Sequence, residues 1–198
     1  MTPTTFDALI PGVLAKRFDF AMAEANITPE RRKQVDFVSY LNNGLAILVP
    51  KDSDIKSTKL SDLCGLSVGT NRGASPIPLL EAASKECEAN GKQAITVKTY
   101  NQIAEAILAV KSGRIPVAIG DQQPISYAAK QNATLRLAVG QGFNQTQAGI
   151  IFPKGSPMEK PVADALNNLI ANGTYQKILD KWGVGSSAVD KAEILPAN

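Results

Sequence analysis

The sequence predicts an α/β fold made of two units, and three observations lead to that prediction. Apolar, strand-like runs alternate with helical stretches between Leu66 and Val139. The first part of the chain has the same order of helix, strand, helix and strand, which is typical of α/β proteins. A polar segment at residues 51–54 follows the apolar run that ends at Val49, and a new unit begins at Leu60. We therefore expect a boundary between two units near residue 50.

The second unit alternates regularly, so its elements can be assigned one by one. Because strands joined through helices run in the same direction, the pattern predicts a mostly parallel sheet with helices on both faces. The predicted strands are Leu66–Thr70, Ala94–Lys98, Val117–Gly120 and Leu135–Val139, and the predicted helices are Pro76–Ala89, Ile103–Ser112 and Pro124–Lys130.

The segments on either side of this unit contribute the remaining elements. A helix with one apolar face covers Phe6–Arg17, although Pro11 and Gly12 interrupt it. Asn172 and Gly173 form a helix-ending signal between the last two helices. The predicted strands here are Phe18–Ala23, Leu45–Val49 and Gly149–Pro153, the last two helices are Pro157–Asn172 and Thr174–Trp182, and the tail beyond Gly183 is expected at the surface.

The composition is that of a soluble globular protein, and it excludes several functional classes. The 198 residues include 21 lysines and arginines scattered among 18 acids, which does not suit nucleic-acid binding. The chain has no histidine, the usual base of serine and cysteine hydrolases and the commonest transition-metal ligand. We therefore expect neither a hydrolase nor a zinc protein, and no cofactor. No apolar run is long enough to cross a bilayer, and the first residues lack the regions of a signal peptide.

The two cysteines, Cys64 and Cys87, lie just before a predicted strand and near the end of a predicted helix. Two reduced thiols in a core are one interpretation. A disulfide is the preferred one, since closing a loop of this length would stabilise the fold by about 3 kcal/mol. A disulfide would also imply an oxidising compartment.

The segment from Asn26 to Arg31 has the features of a helix start that presents a guanidinium. Thr28 is a good N-cap, and Pro29 suits the first helical position, where its missing N–H costs nothing. Arg31 then falls in the first turn, where a cation opposes the helix dipole. This placement indicates a counter-anion for Arg31, either a protein carboxylate in a surface salt bridge or a ligand.

This segment, followed by Val35-Asp36-Phe37 and by Leu45–Val49, resembles the signature of the family 3 extracytoplasmic solute-binding proteins, the amino-acid receptors of ABC importers. The resemblance continues through Asn172-Gly173-Thr174-Tyr175 to Lys181-Trp182-Gly183. It implies a bilobal, periplasmic-binding-protein-like fold of type II with hinge strands at residues 46–49 and 149–153.

The resemblance also divides the chain into lobes. Lobe 1 is expected to comprise residues 1–48 and 153–198, and lobe 2 residues 49–152. A full-length member has a strand, a helix and a second strand of lobe 1 before the position of Phe6. This chain begins where that second strand ends, so lobe 1 is expected to be incomplete.

A set of ligand-binding residues follows from the resemblance. The family arginine that matches Arg31 grips the α-carboxylate of the ligand, in a charge-assisted contact worth about 1.5–3 kcal/mol. Donors at Gly73 and Ser75, at the start of a helix, bind the same carboxylate, and Asp121 at the end of a strand pairs with the α-ammonium. Without the family, Ser75 is equally an ordinary N-cap, and Asp121 is equally a turn-capping residue.

Two positions depart from the family pattern. Many members have a glycine and then a serine or threonine where this chain has Glu24 and Asn26. Asn26 can act through its amide oxygen, and Glu24 through its main-chain carbonyl. Glu24 can instead add a negative charge that favours cationic ligands, or it can simply face solvent. Some members also carry a cysteine pair at the places of Cys64 and Cys87, which supports the disulfide.

The expected function is that of a non-catalytic amino-acid receptor that closes two lobes over its ligand. Its expected partners are a free amino acid and the permease subunits of an ABC importer, and its expected location is extracytoplasmic, with the signal segment absent from this chain. Two alternatives stay open: a prephenate or arogenate dehydratase-like enzyme with Glu24 as proton donor, and a sensory or interaction module. Because an incomplete lobe 1 exposes sheet edges, we expect impaired binding and a homo-oligomer or strand-swapped dimer.

Overall fold

The computed structural model describes residues 2–56, 58–139 and 142–196, and the chain forms two compact units. The first unit consists mainly of Ala8–Asn43 and Gln145–Asn198, and the second of Gly44–Asn144 with Thr5–Asp7. Helices and strands alternate along the chain, so the predicted α/β class is confirmed. The predicted limits of the two lobes and the incompleteness of lobe 1 stay predictions.

The helices and strands begin and end close to local signals in the sequence. The helices are α1 (Leu9–Leu14), α2 (Pro29–Arg32), α3 (Pro76–Ala89), α4 (Ile103–Lys111), α5 (Gln122–Gln131), α6 (Glu159–Ala171) and α7 (Thr174–Lys181). The strands are β1 (Ala21–Asn26), β2 (Asp36–Pro50), β3 (Ser67–Asn71), β4 (Thr96–Tyr100), β5 (Val117–Asp121), β6 (Leu135–Leu137), β7 (Phe143–Phe152) and β8 (Ile194–Leu195). Among the described residues, no helix combines the length and the apolar character needed to traverse a lipid bilayer.

The sheet of the first unit has β7 between β1 and β2. β1 and β7 are antiparallel, with Ala25 opposite Gly149. Gly149 also lets the ring of Phe37, on β2, pack against β7, because a Cβ at Gly149 would lie 2.9 Å from that ring. The helices α6 and α7 cover the sheet, where Phe152 packs near Ala163 and Ala148 near Leu179.

The sheet of the second unit has the order β2-β5-β3-β4. Its strands β4, β3 and β5 are parallel to one another, as predicted, whereas β2 is antiparallel to β5. The strand predicted at Leu135–Val139 is present as the shorter β6, which pairs antiparallel with the end of β2 through Leu48 and Leu137. Because β2 is also antiparallel to β5, β6 runs in the same direction as β5, as predicted. One face of the sheet packs against α3 and the other against α4 and α5.

The disulfide predicted between Cys64 and Cys87 is confirmed in the second unit. Their Cα atoms lie 5.7 Å apart, and the bond joins the turn before β3 to the last turn of α3. Cys87 is only 2% exposed and lies in the same apolar cluster as Leu63 and Leu80. The alternative of two reduced core thiols is therefore wrong.

The first unit departs from the sequence prediction near its beginning. The strand expected at Phe18–Ala23 is shifted to β1, and the helix expected to reach Arg17 ends at Leu14. Lys16 has a positive φ of 56°, which ends the helix, and the ring of Phe18 packs directly on Gly12 instead of entering the sheet. The strand expected at Leu45–Val49 is the second half of the much longer β2.

The tail beyond Gly183 is part of the first unit's core, so the prediction of a surface tail is wrong there. Val189 and Ala192 are buried, and β8 pairs with β2 through Phe37 and Val38. The Tyr175 hydroxyl donates to the Tyr40 carbonyl at 2.6 Å and accepts the Val189 N–H at 3.1 Å. Burial raises the pKa of Tyr175 above its ordinary value.

Candidate functional site

The helix start predicted around Thr28 is present in the first unit. Thr28 has an extended backbone, and its Oγ1 accepts the Arg31 N–H at 3.3 Å. Pro29 is the first residue of α2, as predicted. However, α2 has only four residues, so Arg31 lies in its last turn as well as in its first. The inference that Arg31 opposes a helix dipole is therefore wrong, because a single turn offers no separate N-terminal field.

The Arg31 guanidinium is oriented by the end of β1. Its Nη1 donates to the main-chain carbonyl of Asn26 at 2.7 Å, which is short for an N–H···O bond and typical of a charged donor. Arg31 is partly exposed. Its neighbour Arg32 is directed elsewhere, since its Nη2 donates to the Pro196 carbonyl at 3.0 Å. Of the two adjacent arginines, Arg31 is thus the one held against the strand end.

Asn26 is joined to a second asparagine that the sequence analysis missed. The Asn43 Nδ2 donates to the Asn26 Oδ1 at 2.6 Å, and the two residues are 1% and 3% exposed. The amide oxygen that was expected to face a ligand ammonium therefore already accepts one hydrogen bond, and a carbonyl oxygen can accept two. The signal for Asn43 was the pair Asn42-Asn43, which lies shortly before the apolar run Leu45–Val49.

Glu24 lies on β1, two residues before Asn26. Its side chain is half-buried, and its Oε1 is shielded from solvent. One of the two oxygens of this carboxyl group is thus turned away from solvent.

In the second unit, the turn between β3 and α3 carries Gly73 and Ser75. Gly73 has φ +72°, and a Cβ there would lie 3.2 Å from the Cα of Asp7, so the turn requires glycine. Ser75 occupies the N-cap position before Pro76 with helical backbone angles. Its hydroxyl makes no capping hydrogen bond in the described part of the chain, so an ordinary side-chain cap is not its role.

Asp121 is the last residue of β5 and immediately precedes α5. Its side chain does not cap α5 within the described residues, so the turn-capping alternative is not supported either. Because β3 and β5 are neighbouring parallel strands, their carboxyl ends lie at the same edge of the sheet. Gly73 and Ser75 follow β3 and Asp121 ends β5, so all three come directly after or at the carboxyl ends of these strands.

A further polar side chain near this edge is Thr70, in β3. It is fully buried, and its Oγ1 has no hydrogen-bond partner among the described residues. A buried hydroxyl without a hydrogen-bond partner lowers the stability of the fold. Packing alone therefore does not explain why a threonine occupies this position.

The first unit also contains a groove that is separate from the residues described above. Within the described ranges, no group of three or more acidic or cysteine residues is arranged to hold a metal ion. A groove of about 550 Å³ lies between α6 and the C-terminal segment of the first unit. Its lining includes Lys160, Asp164, Lys191 and Glu193, and the first two form an ion pair at 2.7 Å. The groove is built from different residues than those singled out in the sequence.

Comparison with known proteins gives a consistent result. The family model described as bacterial extracellular solute-binding proteins, family 3, matches residues 1–185. The chain is 28% identical over 190 residues to the arginine-binding protein ArgT of Corynebacterium glutamicum, covering 96% of this chain and 62% of that protein. It is 27% identical over 186 residues to the ABC transporter arginine-binding protein 1 of Escherichia coli, covering 91% and 72%.

A solved structure extends the similarity to three dimensions. An ancestral arginine-binding protein bound to arginine is 33% identical and superposes with a TM-score of 0.80, covering 91% of this chain and 78% of that one. The chain thus spans less than two thirds of the length of ArgT and a larger share of the other two proteins.

Proposed function

Because this chain belongs to the bacterial extracellular solute-binding proteins, family 3, we propose that it binds a free amino acid outside the cytoplasm for uptake by an ABC importer. The observation that carries this proposal is the Arg31 guanidinium, fixed by its bond to the Asn26 carbonyl at 2.7 Å. That bond uses one of the five N–H donors of the side chain and sets the direction of the fork. The planar guanidinium matches a carboxylate in both geometry and charge, whereas a lysine ammonium matches it only in charge.

The remaining residues complete the recognition of an α-amino acid in this proposal. Gly73 and Ser75, at the start of α3, donate to the α-carboxylate, which the positive end of a helix favours. Asp121 pairs with the α-ammonium. Its position supports this role, because it ends a parallel strand at the edge where open α/β sheets bind ligands. Asn26 contributes its side-chain amide at the end of β1.

The ligand we propose has a cationic side chain, with arginine as the first candidate. The Glu24 carboxylate supports this choice, since its shielded Oε1 gives a negative charge that water screens weakly. The names of the relatives and of the superposed structure agree with it, because all three refer to arginine binding.

Calorimetric titration with each standard amino acid tests both parts of the proposal. We expect saturable binding that Arg31→Ala weakens by at least tenfold, because charge-assisted hydrogen bonds contribute about 1.5–3 kcal/mol each. Arg32→Ala is the matched control, since it removes the adjacent guanidinium, whose Nη2 donates to Pro196. Equal losses from both variants, or none from Arg31→Ala, would contradict the proposed role of Arg31.

The charge preference has its own test. Glu24→Gln should weaken arginine and lysine binding more than glutamine binding, because it removes a charge and keeps the shape. Glu30→Gln, an exposed acid in α2, is the control. A uniform loss for all ligands would assign Glu24 a structural role instead.

The importer partnership is tested by copurification of this chain with permease subunits from membranes. Recovery of a permease would support transport. A well-folded chain that binds no amino acid and captures no permease would favour a sensory or interaction module. Turnover of prephenate or arogenate that Glu24→Gln abolishes would favour the enzyme alternative, although the named relatives are binding proteins. Light scattering tests the expected homo-oligomer.

A further inference from the structure

A side-chain hydrogen bond in the first unit joins two strands that are not neighbours in the sheet. Asn26 is the last residue of β1, Asn43 lies on β2, and β7 separates these two strands. The Asn43 Nδ2 nevertheless donates to the Asn26 Oδ1 at 2.6 Å. Strands two places apart are separated by about 9.6 Å, so the two side chains reach towards each other across β7. The pair thus forms a bridge from β2 to the end of β1.

The residues next to this asparagine bridge are small or apolar. Ala148 of β7 is directly opposite Asn26, so the two side chains are on the same face of the sheet. Leu41, which shares a face with Asn43, lies in one buried cluster with Ala148 and with Leu179 of α7. The methyl group of Ala148 is small enough for the two asparagines to meet over it. Because the asparagines are 1% and 3% exposed, water does not compete for their bond.

The bridge ends at the residue whose carbonyl orients Arg31. The peptide group between Asn26 and Ile27 is bonded on both sides. Its N–H donates to the Gln147 carbonyl at 2.9 Å, and its C=O accepts the Arg31 Nη1 at 2.7 Å. The pairing of β1 with β7 is irregular shortly before this point, because its register shifts within β1. Main-chain pairing therefore holds the end of β1 over few residues, and the bridge attaches it a second time, to β2.

We propose that Asn43 is a positioning residue for the Arg31 guanidinium. Its bond to Asn26 fixes the end of β1 from the side of β2, and the carbonyl of Asn26 then holds Arg31 in one orientation. Asn43 acts through these two residues and not through contact with a ligand. The consequence for amino-acid binding rests on the proposed function, whereas the orientation of Arg31 does not depend on a ligand.

NMR of the arginine side chains tests this role in the ligand-free protein, with Arg31→Lys to identify the Arg31 signals by their loss. The bond to Asn26 should slow rotation of the Arg31 guanidinium, so that its Nη protons give separate signals. Asn43→Ala should merge these signals. Ser39→Ala is the matched control, because Ser39 is also fully buried on β2 and its Oγ accepts the Glu193 N–H at 3.1 Å. It should lower stability as well but leave the Arg31 signals separate.

Two NMR results would overturn the proposal. One is an Asn43→Ala variant whose Arg31 signals match those of the natural chain. The other is an equal change in Asn43→Ala and Ser39→Ala, which would assign the effect to a general loss of stability.

Calorimetric titration with L-arginine measures the consequence for binding. Asn43→Ala should weaken binding by about 2- to 10-fold, the range that one hydrogen bond contributes, while Ser39→Ala should keep the natural affinity. Equal affinities of the two variants would overturn the proposed link to the ligand. If the natural chain binds no amino acid, the proposed function fails, and the Arg31 signals still decide whether Asn43 positions the guanidinium.

Hydrogen exchange of the side-chain amides tests the bridge in the natural chain, where no variant has to fold. The Nδ2 protons of Asn43 should exchange with D₂O far more slowly than those of Asn42. Asn42 is the matched control because it is exposed, although its Nδ2 donates to the Ala188 carbonyl at 2.7 Å. Equally rapid exchange at both residues would mean that the bridge does not persist, which would overturn the proposal.

Discussion

The Cys64–Cys87 bond should supply a large part of the stability of the second unit. It closes a loop with a sequence separation of 23 residues that contains β3 and most of α3. The chain-entropy relation gives about 11 cal/mol/K for a loop of this length, or about 3.4 kcal/mol at 25 °C. Reduction of the bond should therefore lower the urea midpoint of the second unit by about 1–3 M, for a slope of about 1–3 kcal/mol/M.

Hydrogen exchange with mass spectrometry, in urea, separates the two units in this experiment. Peptides from β3 and α3 should lose protection when the bond is reduced, whereas peptides from α6 and α7 in the first unit should change little. A chain with both Cys64→Ala and Cys87→Ala is the control, because reductant should have no effect on it. Unchanged protection of β3 and α3 after complete reduction would refute the loop-closure argument.

Three substitutions give further tests. Arg136→Ala should expose residues 51–55 to proteolysis without unfolding the second unit, since Arg136 donates to the main-chain carbonyls of Lys51, Ser53 and Ile55. Asn43→Ala should destabilise the first unit by about 1–3 kcal/mol in urea titration, because it leaves the buried Asn26 amide oxygen without its donor. Gly73→Ala should weaken amino-acid binding and lower stability more than Gly91→Ala does. Both glycines have a positive φ, but an added Cβ would meet a neighbour within 4 Å at Gly73 and none at Gly91.

The second unit was predictable because its signals are local. Helix α3 runs from Pro76 to Ala89 as predicted, since a proline marks its start, and β3 is displaced by a single residue at each end. Parallel order followed from the alternation of elements. The partner of β6 did not follow, because β6 pairs with the end of β2, far earlier in the chain, and this pairing leaves no mark in the local pattern.

The first unit was harder to predict because its contacts join distant parts of the chain. The first half of β2 is stabilised by β8, which lies at the other end of the sequence. Phe18 looks like a strand residue by composition, yet its ring packs on Gly12 of the preceding helix. The buried partner of Asn26 escaped notice for the same reason, since Asn43 meets it only through the fold.

The sequence argument for Arg31 and the structure around it differ in one respect. The sequence argument relied on a cation that opposes a helix dipole, but α2 is one turn long and its dipole is small. Thr28 and Pro29 do not serve a long helix; they begin a single helical turn shortly after β1. From this turn the guanidinium of Arg31 donates to the carbonyl of Asn26, five residues earlier. The cap at Thr28 thus places Arg31 within hydrogen-bonding distance of the end of β1. In the proposed function, the guanidinium of Arg31 recognises the anion without help from a helix dipole.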